Sequence, residues 1–172
     1  QINVSQILQN NNGNIIISTF GEGLFILKND QILNIRKDDG IISDHIRQIL
    51  CDKNNNLWLA TKKGISKVSM SENKNEFFNI TSKNGLSFEN INCLEHDSEG
   101  NLWLGTDGKG LLKFAGESFE NYTTRDGLSN DIVMSVMEDA DKNILFSTYG
   151  GGVCKYDVAK KGSISLFLSN IN

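Results

Sequence analysis

The sequence has no proline among its 172 residues, and only three cysteines, two histidines and two tryptophans. No apolar run approaches the ~20 residues that a membrane-spanning helix needs. The start, QINVSQILQ, lacks the charged head and apolar core of a signal peptide, so an export signal or membrane anchor is expected outside this segment. Basic residues are not in excess: 17 Lys and Arg face 21 Asp and Glu, for a net charge of -4. They are scattered along the chain, whereas a binder of phosphate backbones carries a basic face, so nucleic acid is not an expected partner. Cys51, Cys93 and Cys154 are an odd and sparse set that implies no disulfide framework, and they read as small core residues. The missing proline, beside abundant asparagine, reads as a compositional bias of the source. What is present, 38% apolar and 22% charged residues, is a globular composition.

The chain is built from one unit used about four times. NIIISTFGEGLFIL starts at Asn14, NLWLATKKGISKV at Asn56, NLWLGTDGKGLLKF at Asn101 and NILFSTYGGGVCKY at Asn143, spaced by 42, 45 and 42 residues. Upstream of each lies a second matching segment, beginning at Val4, Ile46, Ile91 and Val133. Between units stands a third: DDGIISDHI at Asp38, KNGLSFENI at Lys83 and RDGLSNDIV at Arg125. Internal periodicity comes before any motif reading, and here it leaves no stretch for a second kind of domain. The units fall at approximately 1–39, 40–84, 85–126 and 127–172.

Each unit reads as four short strands. In the third these are INCLEHD, LWLGT, LLKF and SFENYTT, joined by a polar turn whose Gly100 suits a positive φ and by a glycine turn. Leu57, Trp58 and Leu59, like Leu102, Trp103 and Leu104, are apolar on both sides of the pleat, as in a sheet sandwiched between two others. Repeats of ~40–45 residues with four strands each are β-propeller blades, so the expected fold class is all-β. The glycine cluster could also be taken for a phosphate cradle. That needs a helix opening at the glycines, and the strand-like LLKF follows instead. Gly105 is expected where backbone is closely approached, and Gly108 and Gly110 where the chain turns.

DGLSNDIVMSVMEDADKN, GNLWLGTDGKGLLKF and FENYTTRDGLS together closely resemble the two-component regulator propeller repeat, which fills the sensor regions of bacterial, especially Bacteroidetes, hybrid histidine kinases. All four units carry the resemblance. Ile15 to Ile17 and Ile144 to Phe146 replace the tryptophan-bearing strand, and the second unit has a shorter TKKG turn and a longer SMSENKNEF loop. The resemblance implies an extracytoplasmic (periplasmic) sensor module of a membrane-anchored parent, often responsive to glycans or their breakdown products, without cofactor or catalysis. It also implies rings of about seven blades. The chain supplies four blades whole, leaving two flanking faces whose apolar surface water penalises at about 25 cal/mol per Å². A dimer closing an eight-bladed ring, a closed four-bladed ring, and a piece of a longer chain each answer this.

Strand order places the DGLS linkers and the glycine turns on one face, the usual position for function on a rigid scaffold. Residues that differ between units are the better ligand candidates: Phe20, Glu22, Lys62, Asp107, Lys109 and Tyr149 on the glycine turns, and His45, Arg47, Phe88 and Arg125 on the linkers. Lys63, Asp44, Glu89, Asn130 and Asp131 share that face. An oligosaccharide would want an aromatic platform beside charged or amide groups, and Phe20, Phe88 and Tyr149 are the platforms available. Recurring residues read as architecture instead: Thr19, Thr61, Thr106 and Thr148, in all four units, as hydrogen-bonding posts, and Asp52, Asp97 and Asp139, in three of them, as caps of their own turns. His45 and His96 fall at different places in the unit and do not readily share a site, and Cys51 with His96, at equivalent positions of neighbouring units, makes two candidate ligands, too few for a zinc site, so no metal is expected. The competing readings are a propeller lyase of the streptogramin-lyase type, which needs an acid/base pair with a metal on one face, and a purely structural interaction module.

Overall fold

The computed structural model of the chain describes residues 1–71, 74–116, 118–160 and 162–168. Positions 72 and 73 of the long loop, and 169–172 at the end of the fourth expected unit, lie outside them. Four antiparallel sheets of four strands follow one another, each in sequence order. The first holds β1 (Val4–Gln9), β2 (Ile15–Thr19), β3 (Leu24–Lys28) and β4 (Gln31–Ile35); the second holds β5 (Ile46–Cys51), β6 (Leu57–Thr61), β7 (Gly64–Ser69) and β8 (Glu76–Ile80). The third holds β9 (Ile91–His96), β10 (Leu102–Thr106), β11 (Leu111–Phe114) and β12 (Phe119–Tyr122); the fourth holds β13 (Val133–Glu138), β14 (Ile144–Thr148), β15 (Gly152–Asp157) and β16 (Ser163–Leu168). Each repeat is thus one four-stranded meander, and the all-β, blade-like architecture read from the repeat stands. Short 3-10 turns at Lys37–Asp39, Ser82–Asn84 and Thr124–Asp126 open the linkers, a feature the strand patterning did not signal. The chain divides into two compact units. Gln1–Ile91 carries the first two sheets, and Asn92–Asn172 carries the other two apart from the first residue of β9.

In the first unit, Ile16, Leu24 and Ile26 pack with Ile46, Ile49 and Leu59 of the next sheet. In the second unit, Trp103 and Leu111 pack with Val133, Val136, Phe146 and Cys154. Each such aliphatic or aromatic side chain contributes about 1.5–3 kcal/mol when fully buried. Every residue of β6 and of β10 is buried, as continuous apolar runs in sheets covered on both faces require. Gly105 is one price of that density: a Cβ there would collide with the Cys93 thiol and the Val133 side chain.

Two sheet faces depart from this rule. Ile46 and Ile49, the first and fourth residues of β5, are 0% and 1% exposed, whereas their counterparts in β1, Val4 and Ile7, are 48% and 61% exposed. On the opposite face, Leu8 of β1 packs against the core of its unit, whereas its counterpart in β13, Met137, is 53% exposed. The repeat therefore carries interface residues at both of these faces that no described residue covers.

The turns are set by side chains that recur at fixed offsets. Asp97 accepts hydrogen bonds from the Glu99 and Asn101 backbone N–H groups, from Asn101 Nδ2 and from Trp103 Nε1, at 2.7–3.1 Å. Asp52 does the same with Asn54, Asn56 and Trp58, and Asp139 with Asp141 and Asn143. Partial burial opposes ionisation of Asp52 and Asp97, but these donors, led by Asn56 and Trp58 in one and Asn101 and Trp103 in the other, hold both carboxyls below the ordinary carboxylate value. The capping role expected for these aspartates is met, and the tryptophans of NLW prove to be partners of the cap.

Candidate functional site

Between the second and third strands of each repeat, a threonine closes the glycine turn. The hydroxyls of Thr19, Thr61 and Thr106 donate to the Gly23, Gly64 and Gly110 carbonyls and accept from the Glu22, Lys63 and Lys109 N–H groups. At Gly110, φ is +78° and a Cβ would collide with the Tyr122 carbonyl, so the turn lies directly on the fourth strand.

The following linker is then tied to that turn. Gly21 and Gly23 N–H donate to the Asp44 carbonyl at 3.1 and 3.0 Å, Gly64 N–H to Glu89 at 2.8 Å, and Gly108 and Gly110 N–H to Asp131 at 3.2 and 2.7 Å. The same three residues use their carboxylates to accept from the first N–H of the 3-10 turns: Asp44 from Lys37, Glu89 from Ser82 and Asp131 from Thr124. The Ser82 donors hold the Glu89 carboxyl below its ordinary value. Glycine turns and linkers accordingly share a face, as strand order requires. Asp44, Glu89 and Asp131 are committed to holding the linker, a role that sequence reasoning missed. The signal was available: an acidic residue stands four residues after the linker glycine, Gly40, Gly85 or Gly127, in all three linkers.

The candidate residues separate by unit. In the first, Phe20 and His45 form an isolated backbone bridge, and their rings lie 5.1 Å apart at 50°. Thr61 pairs with Ile46, so Lys62, the next residue of the turn, stands across from His45. The register shifts between Ile46 and Gln48, which makes Arg47 a bulge residue with a re-aimed side chain. Its Nη1 donates to the Ile91 carbonyl at 3.4 Å. Partial burial, the Lys62 ammonium and, more weakly, Arg47 push the His45 pKa below the ordinary imidazole value. His45 Nδ1 is buried without a hydrogen-bond partner among the described residues. Glu22 pairs with Arg36, and Phe88 is half-buried in the linker before β9.

In the second unit, Asp107 bridges to Ile132, and Tyr149, 66% exposed, donates its N–H to the Ile132 carbonyl. Lys109 is exposed on its glycine turn, and Arg125 is exposed on the 3-10 turn Thr124–Asp126. The structure therefore brings Phe20, His45 and Lys62 together, turns Arg47 to the Ile91 carbonyl, sets Asp107 and Tyr149 on either side of Ile132, and leaves Arg125 outside either group. Among the described residues, no group of three His, Cys, Asp or Glu side chains is set to hold a metal ion. No helix among them is long and apolar enough to cross a membrane.

Residues 40–63 and 85–108 match the family model of the two component regulator propeller. No curated protein is significantly similar in sequence. Among solved structures, the chain is similar to the extracellular domain of a protein named as a hybrid two component system from B. thetaiotaomicron, with 26% identity and a TM-score of 0.74 over 92% of this chain and 22% of that one. It is also similar to the extracellular domain of a protein named as a one component system from the same organism, with 17% identity and a TM-score of 0.78 over 96% of this chain and 25% of that one. A virginiamycin B lyase from Staphylococcus aureus shares 12% identity and a TM-score of 0.66 over 94% of this chain and 54% of the lyase. At that identity the likeness is one of fold alone. Two segments of the chain thus match the two component regulator propeller model, and the chain spans about a quarter or less of the two extracellular domains.

Proposed function

We propose that this segment, carrying two-component regulator propeller repeats, is a non-enzymatic, ligand-binding input module on the extracytoplasmic side of a membrane-anchored signalling protein, responsive to glycans or their fragments. The observation that carries the reading is the match at 40–63 and 85–108. The distribution of side chains supports it. Hydrogen-bonding posts recur from repeat to repeat, while the face formed by linkers and glycine turns presents a different set of residues at each junction, as a scaffold for selective binding would. The mechanism is differential binding: a ligand that fits one arrangement of the parent better than another biases the output by the difference in affinity, and by no more.

The uncovered faces around Val4 and Ile7 and around Met134 and Met137 support packing against further blades, supplied by the parent chain or by a second copy that completes an eight-bladed ring. Light scattering across a dilution series reads this: a stable dimer supports the second copy, and a stable monomer rules it out.

The function itself is tested by thermal shift with a panel of oligosaccharides and their breakdown products. A ligand at about 100 times its Kd stabilises the folded state by about 2.7 kcal/mol. A saturable rise in Tm without turnover is the expected result. No shift with any glycan favours a structural module, and turnover abolished by a chelator favours a lyase.

A further inference from the structure

We infer that the cavity between the first and second sheets, beside the β1–β2 turn, binds a short peptide by its free carboxyl terminus, with the outer edge of β4 as the main-chain partner and Lys28 and Lys74 as the carboxylate partners. The inference goes beyond the glycan reading and does not depend on it.

The cavity arises where the first repeat departs from the next two. In those, the cap aspartate, a tryptophan and a lysine pack as one group: Asp52 and Asp97 accept from Trp58 and Trp103 Nε1 at 3.0 and 2.8 Å, and Lys67 and Lys113, paired with the tryptophans across the strands, stand 5.2 Å from the ring centroids. In the first repeat Asn10, Ile16 and Ile26 hold these places, with Ile16 and Ile26 in the same pairing. A cavity of about 620 Å³ lies there, whereas about 150 Å³ is left at the corresponding place between the third and fourth sheets, lined by Trp103 and Lys113. Asn10 is 4% exposed, and its Oδ1 accepts from the Asn12 and Asn14 N–H groups at 3.2 and 2.9 Å. Nδ2 therefore takes the position of the carboxylate oxygen that in Asp97 accepts from Asn101 Nδ2, on the side of Asn14, and is buried without a partner among the described residues. A buried donor without an acceptor is rare and costly. The aspartate of the other repeats would remove that cost, but it would also put a negative charge next to the cavity.

The lining selects the ligand. Asn12, Asn14, Gln31 and Asn75 present primary amides, each both donor and acceptor and so the complement of a peptide group. Gln31, Ile32 and Leu33 line the cavity from β4, which pairs only with β3, so its outer edge offers the main-chain groups to which an extended peptide adds as a strand. Ile32, 71% exposed, and Met70 provide aliphatic wall for its side chains. Lys28 and Lys74 supply the cations, and the described residues lining the cavity include no carboxylate and no aromatic ring. The first absence selects the acidic end of a peptide over its amino end, and the second selects a peptide over a sugar that needs a ring to stack on. The walls are fixed in advance: the β3–β4 hairpin turns at Asn29 and Asp30, both at positive φ, and Asn11 ties the β1–β2 turn to the second sheet through Asn55 Oδ1 and the Asp52 carbonyl at 3.1 Å each.

Calorimetric titration of the whole chain tests the inference. The probe is the N-acetylated tripeptide alanyl-leucyl-valine, as its free acid and as its C-terminal amide. The acid is expected to bind about tenfold or more tighter than the amide, a difference of about 1.4 kcal/mol. Lys28→Gln, at an exposed position, should weaken the acid about 3- to 10-fold with the urea midpoint unchanged. Asn10→Asp should raise the urea midpoint or leave it as it is, because the cap regains the acceptor of its counterparts, and yet weaken the acid about tenfold or more by charge repulsion. Tyr149→Ala, in the second unit, should leave binding intact. Equal binding of acid and amide, no binding of either, or undiminished binding in Lys28→Gln and Asn10→Asp overturns the inference. It falls equally if the tripeptide fails while an oligosaccharide binds the parent chain and is lost in Lys28→Gln, since the cavity then takes a sugar.

Discussion

Replacing Asp97 by alanine should cost about 3–5 kcal/mol, with one tryptophan the largest single contributor. The carboxylate accepts four hydrogen bonds. Three donors belong to the turn 98–101, where water can replace the carboxylate, and their loss costs roughly 0.5–1 kcal/mol each at most. The fourth is the Trp103 indole N–H, at 2.8 Å, on a side chain only 1% exposed. Water has no ready access there, so the donor is stranded at a cost of about 1–3 kcal/mol. The fourth sheet provides a control within the same unit. Asp139 caps an equivalent turn, but Leu145 stands where Trp103 does, so Asp139→Ala should be clearly the milder change. Urea unfolding at constant m-value reads both, and the double cycle with Trp103→Phe isolates the indole bond. If Asp97→Ala is no worse than Asp139→Ala, or costs as much in the Trp103→Phe background as in the parent, the buried indole is not what makes this cap matter.

Three further outcomes follow from the geometry. Gly110→Ala should destabilise by several kcal/mol, because the new Cβ meets the Tyr122 carbonyl, whereas Gly108→Ala, with a positive φ but open space around it, should cost only about 1–2 kcal/mol; equal urea midpoints would refute the close approach. Burial pushes the Cys93 thiol up to about 12 and Cys154 is 0% exposed, so a thiol reagent at mildly alkaline pH should label Cys51 alone in the folded chain and all three cysteines in urea; mass spectrometry counts the adducts. Asp52 and Asp97 have folded pKa values below their unfolded ones, so their contribution is fully present above about pH 5 and is lost as pH falls through the folded values, below about 4. Asp97→Asn should therefore flatten the acid limb of a urea-midpoint profile, and an unchanged limb would assign acid sensitivity to other groups.

The sequence by itself determined whatever repeats and whatever acts over a few residues. The 42- to 45-residue period, the four strands, the threonine posts, the aspartate caps and the glycine turns all stand as read, because each is a local arrangement written four times with small changes. Repetition also separated architecture from variation, which is how Phe20, His45, Arg47 and Lys62 came to be singled out. It could not show that Phe20, His45 and Lys62 meet. His45 lies 25 residues after Phe20 and 17 before Lys62 in the chain. Only the bridge between one repeat's turn and the next linker, together with the register of β5 on β6, places the imidazole between ring and ammonium. The double duty of Asp44, Glu89 and Asp131 was hidden for the same reason: backbone carbonyl and carboxylate face partners in two different segments. Tertiary structure likewise decided that Val4 and Ile7 are exposed while Ile46 and Ile49 are buried. The residues are alike in kind, and burial depends on whether another sheet lies against them.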